Sequence, residues 1–73
     1  MEKTVQISTP FIKLDALLKF ADVVSSGGEA KILIQDEQIL VNGEICTMRG
    51  KKCVSGDRVE VVGHVTILLE GSA

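Results

Sequence analysis

Between Thr4 and Ser8, apolar Val5 and Ile7 alternate with polar Gln6 and Ser8, the period of a strand with one buried face, and Thr9-Pro10 ends the run. Past the proline the period lengthens. Leu14, Leu17, Leu18 and Ala21 recur at helical spacing, which predicts a helix carrying Asp15, Lys19 and Asp22 on its outer face. Ser25-Ser26-Gly27-Gly28-Glu29 opens a second helix, with Ser26 as its N-cap and Glu29 able to return the hydrogen bond in a capping box. Ala30, Leu33 and Ile34 form its buried stripe, and Lys31 and Gln35 face away. Asp36-Glu37 close it, against the sense of the helix dipole.

From Ile39 the pattern is that of strands. Ile39-Leu40-Val41 and Glu44-Ile45 flank Asn42-Gly43, a dipeptide suited to a two-residue hairpin because both turn positions need positive φ. Cys46 to Lys52 is irregular, Ser55-Gly56-Asp57 is a turn, and Arg58 to Val61 alternates again. Gly63-His64 reverses the chain into a last strand, Val65 to Leu69. The order predicts an α+β fold, two helices packed on one side of a small, mostly antiparallel sheet. The expected core is Val5, Ile7, Leu14, Leu17, Leu18, Leu33, Ile34, Val41, Val59 and Val61.

Length narrows the function. A chain of 73 residues accommodates one domain, spanning residues 1–73. A chain of this size buries only about 60% of its unfolded surface, which leaves little depth for a substrate cavity, so a binding module is expected and not an enzyme. Two phenylalanines, with no Trp or Tyr, exclude an aromatic platform for a run of splayed bases. The longest apolar stretch, Val65 to Leu69, is far below the ~20 residues of a membrane span, so no membrane anchor is expected. Cys46 and Cys53 follow no secretory leader and are expected to be free thiols of a cytoplasmic protein. Their spacing, with His64, matches no zinc pattern, and no oxyanion site accompanies them, so no metal, cofactor or catalytic residue is assigned.

Charge is unevenly spread. Residues 46–56 hold Arg49, Lys51 and Lys52 and no acid, while the whole chain carries −2. This is the one stretch where the potential should be clearly positive, and Gly50 allows close approach to a backbone. The free amides at Ser26, Gly27 and Gly28 form a second candidate, since the positive end of a helix dipole suits a phosphate, and Lys31 adds a cation one turn on.

The runs Ser26-Gly27-Gly28-Glu29-Ala30-Lys31-Ile32-Leu33-Ile34-Gln35, Ile39-Leu40-Val41-Asn42-Gly43-Glu44, Arg49-Gly50-Lys51-Lys52 and Val54-Ser55-Gly56-Asp57-Arg58-Val59 carry a specific spacing. Over about Phe11 to Val62 the chain resembles the RNA-binding domain named for ribosomal protein S4, in particular its small stand-alone bacterial members. That resemblance implies the αL motif, a second helix and following hairpin presented to the phosphate backbone of structured RNA such as rRNA or tRNA. It implies Ser26, Gly27, Gly28, Lys31, Arg49, Lys51 and Lys52 as contacts, with Asn42-Gly43 and Gly56-Asp57 shaping turns. The expected protein is a monomer, with the ribosome or a protein as further partner. The competing expectation is a protein-interaction adapter that docks through the acidic surface or an exposed strand edge at Val65 to Leu69. A β-grasp carrier would need a Gly-Gly terminus, whereas this chain ends Glu70-Gly71-Ser72-Ala73.

Overall fold

A computed structural model describes residues 1–71. The alternating segment at the start forms β1 (Glu2–Ile7), and a two-residue strand β2 (Ile12–Lys13) leads directly into α1 (Leu14–Phe20). α2 (Gly27–Gln35) follows, then β3 (Ile39–Val41), β4 (Glu44–Ile45), β5 (Lys52–Cys53), β6 (Arg58–Val61) and β7 (Val65–Gly71). Five strands make one sheet in the order β1-β7-β6-β3-β4, and β2 pairs with β5 in a separate ladder. All pairs are antiparallel except β1 with β7. The α+β expectation of two helices on a small, mostly antiparallel sheet therefore holds.

The strand registers explain the core. Val41 lies opposite Val59 and Val59 opposite Ile67, so neighbouring strands place apolar side chains in one row on the helix side of the sheet. Leu14, Leu17 and Leu18 of α1 and Ala30 and Ile34 of α2 cover that row, all fully buried. Nine of the ten expected core positions are buried; Leu33 is only half-buried, at the margin of the cluster. Ile67 and Leu69 are buried because β7 is an inner strand, flanked by β1 and β6. This corrects the expectation of an exposed edge at Val65 to Leu69, since both sides of that strand are already hydrogen-bonded to neighbours. Lys3, paired with Ile67, sends its ammonium to the Ala21 carbonyl at 2.6 Å, placing a cation where the α1 dipole is negative.

Local signals account for most boundaries. Asn42 and Gly43 adopt φ of 53° and 87°, as the two-residue hairpin requires, and Val41 faces Glu44 across it. Ser26 caps α2 by accepting a hydrogen bond from the Glu29 amide. The capping box itself is displaced by one residue, because the Glu29 carboxylate accepts from the Ser25 amide and hydroxyl in place of the Ser26 amide.

Candidate nucleic-acid interface

α1 begins without a capping side chain: Lys13 occupies the N-cap position and supplies no acceptor. Free first-turn amides must find partners elsewhere. Here they come from the basic segment, with the Leu14 amide donating to the Lys51 carbonyl at 2.8 Å and the Asp15 amide to the Arg49 carbonyl at 3.1 Å. The Lys51 amide donates to the Met48 carbonyl, closing a turn, and β5 then runs beside β2. Residues 48–53 are thereby fixed against the start of α1 by main-chain bonds; the side chains of residues 48–52 remain outside, and Cys53 turns into the core.

The charges on this segment differ in freedom. Arg49 Nε lies 3.4 Å from Asp15 Oδ2, an ion pair with half of the arginine side chain exposed, which satisfies one face of the guanidinium and leaves its terminal nitrogens open. Lys52 Nζ sits 4.9 Å above the Phe11 ring, a contact that orients the ammonium without neutralising it. Among the described residues no carboxylate pairs with Lys31, Lys51 or Lys52. The structure therefore gathers Arg49, Lys51 and Lys52 on one segment. Ser26, Gly27, Gly28 and Lys31 form a second group on α2, which itself packs against α1. A side chain at Gly27 would meet no atom within 4 Å, so the fold has no steric need for glycine there and the α2 tip stays open to close approach from outside.

The hairpin beside the basic segment is locked in place. Asn42 Nδ2 donates to Asp57 Oδ1 at 3.1 Å, Asn42 Oδ1 accepts from the Arg58 amide at 2.9 Å, and Asp57 Oδ2 accepts from the Val54 amide at 2.9 Å. The Asn-Gly and Gly-Asp turns are thus one joint. The Cys46 amide adds a bond to the Ile39 carbonyl at the other end of the hairpin.

Comparison with known proteins agrees with this architecture. The S4 domain family profile matches residues 5–69. This chain belongs to the S4 domain family. Its relatives include RlbA of Bacillus subtilis, named a probable ribosome maturation protein, 43% identical over 63 residues that cover 86% of this chain and 89% of RlbA. YbcJ of Escherichia coli is 38% identical over 55 residues, 75% of this chain and 79% of YbcJ. The solution structure of YbcJ, described as revealing an αL motif involved in RNA binding, superimposes with a TM-score of 0.64 at 32% identity, covering 92% of this chain and 85% of that one.

One cation of this S4 domain escapes a reading of its sequence. Lys13 lies directly opposite Lys52 in the β2–β5 ladder, and both are exposed. Like charges facing each other across strands are destabilising, so this pairing costs the free protein some stability. The positions are distant in sequence and β2 is two residues long, hence no periodicity marks the pairing.

The S4 domain's two thiols differ in kind. Cys53 is fully buried, and its pKa is pushed up to about 11 by that burial first, then by Asp57 and Cys46, with Lys51 pulling the other way. Cys46 is half-buried. At pH 8 iodoacetamide is expected to alkylate Cys46 in the folded protein and spare Cys53, with both reacting in urea; equal native rates would contradict the assignment. The sign of the pH effect follows from the raised value. An unfolded thiol ionises near pH 9 and the buried one near 11, so the stability Cys53 contributes is complete below pH 9 and lost between about 9 and 11. The difference in denaturation midpoint between the parent and Cys53→Val should shrink over that interval.

Proposed function

We propose that this protein binds structured RNA without catalysing a reaction, through the phosphate backbone and one basic edge of the fold. The observation that carries this reading is the segment Arg49 to Lys52, whose carbonyls cap α1 and whose ammonium groups have no carboxylate partner among the described residues. Lys13, Lys51 and Lys52 are the main phosphate contacts, with Arg49 joining by exchanging Asp15 for a phosphate. Ser26, Gly27 and Gly28 offer the amides of the α2 tip, and Lys31 the cation beside them. The Glu29 carboxylate, held by Ser25, lies at the same tip and restricts that approach to the side of the glycines. The naming of YbcJ as a putative RNA-binding protein, the αL motif of its solution structure and the naming of RlbA as a probable ribosome maturation protein support the same class of ligand. Ribosomal RNA is favoured over tRNA by the name of RlbA; a cytoplasmic monomer is part of the same proposal.

Fluorescence polarisation with a structured rRNA fragment, repeated over a series of salt concentrations, tests this. Five cations, Lys13, Lys31, Arg49, Lys51 and Lys52, each meeting a phosphate, predict that log affinity falls with log salt at a slope of roughly −3.5 to −4.5. A slope near zero would remove phosphate recognition as the mode of binding.

A further inference from the structure

Between the β3–β4 hairpin and the turn Met48 to Lys51 runs a groove of about 440 Å³, within the ~300–1,000 Å³ typical of small-ligand clefts. Ile45 and Met48 line it, 55% and 65% exposed. Side chains this apolar gain nothing from phosphate contacts and have no role in the core. Thr47 brings a hydroxyl to the same groove, and Lys51 brings a cation. Apolar surface, a hydrogen-bonding group and one positive charge together match the parts of a nucleotide: a flat base, its polar edge and its phosphate.

Resting on the RNA-binding reading above, we propose that this groove takes one unpaired nucleotide of the bound RNA, its base against Ile45 and Met48 and its phosphate at Lys51. Both walls are preformed. The hairpin is tied down by the Asn42–Asp57 bond and by the Cys46 amide on the Ile39 carbonyl. The turn is tied by the Lys51 amide, which donates to the Met48 carbonyl, and the Cys46 thiol points at that same carbonyl, 3.8 Å away. A base entering the groove therefore meets ordered walls and little backbone has to be fixed on binding.

The flexible thioether of Met48 and the branched Ile45 can follow the face of any base, which an aromatic platform would otherwise provide. Charge favours RNA over a protein as the occupant, because Lys51 shares its turn with Arg49 and precedes Lys52, so a chain leaving the groove runs onto further cations. Glu44 also lines the groove, and its carboxylate disfavours a second phosphate, which limits the occupant to a single nucleotide. Unpaired bases are also where a protein can distinguish one structured RNA from another, since the grooves of a continuous A-form helix expose little sequence.

The test compares an RNA duplex carrying one unpaired nucleotide with the same duplex carrying an abasic unit there, which keeps the phosphate and removes only the base. The parent protein should bind the first about tenfold more tightly, equivalent to 1.4 kcal/mol. Ile45→Ser with Met48→Ser should abolish that preference while leaving affinity for the abasic duplex and the salt slope unchanged; both residues are exposed, and a thermal melt checks that the fold is kept. Equal binding of the two RNAs by the parent, with a normal salt slope, sinks the groove assignment and leaves phosphate recognition standing. A preference that survives in the double variant moves base recognition elsewhere and leaves the groove to a protein partner. Loss of abasic-duplex binding in the variant would equally overturn a base-specific role. Absence of salt-dependent binding to either RNA brings down both readings together.

Discussion

Replacing Lys51 and Lys52 together by glutamate is expected to weaken binding to structured RNA about a hundredfold while leaving the protein as stable as before. Hydrogen bonds to charged groups contribute roughly 1.5–3 kcal/mol each, so two phosphate contacts at the lower end sum to ~3 kcal/mol, two decades of affinity. The salt slope should become shallower by about 2. Stability is held for a specific reason. The bonds that fix the segment run through the Arg49 and Lys51 carbonyls, which the substitutions leave in place. A glutamate at position 52 also faces Lys13 across the β2–β5 ladder, turning a repulsive pair into an attractive one and offsetting the lost contact with Phe11. The net change in stability should stay within about 0.5 kcal/mol. Isothermal titration against the rRNA fragment, paired with urea denaturation, checks both halves. Undiminished binding by the doubly reversed variant would point to docking through the acidic surface.

The fold was legible because its elements are local and periodic. The leucine stripe of α1, the Ser26 cap and the Asn42-Gly43 turn each state their structure within a few residues. What the sequence withheld is long-range. No local pattern announces that β1 adds in parallel to β7, and for that reason Val65 to Leu69 read as an edge when it is flanked on both sides. The candidate interface divides in the same way. Arg49, Lys51 and Lys52 stand out as a run of charge, but their support is the absence of a capping side chain at the start of α1, a vacancy filled by carbonyls more than thirty residues away. Lys13 was invisible for the related reason that its significance lies wholly in its partner across the ladder.

Asp57 shows how fold and interface depend on a single side chain, and Asp57→Ala is expected to lower stability by about 3 kcal/mol and RNA affinity with it. Its carboxylate accepts from the Val54 amide and from Asn42 Nδ2, both charge-assisted bonds, and alanine leaves each donor without that partner. For a domain of this size 1 kcal/mol corresponds to roughly 4–8 °C in melting temperature, so a fall of roughly 12–24 °C should be seen by circular dichroism. Asp57→Asn keeps an acceptor oxygen for Val54 and should fall between the two. Binding measured well below the lowered melting temperature then sets two effects against each other. Removing an acid makes the protein less negative, and simple electrostatics would strengthen attraction to RNA. Losing the Asn42–Asp57 bond frees the hairpin from the turn before β6, and a loosened hairpin must be ordered again on binding. If the hairpin contributes to the interface, affinity drops in spite of the favourable charge change, whereas a rise in affinity would mean that the Asn42–Asp57 joint serves the fold alone.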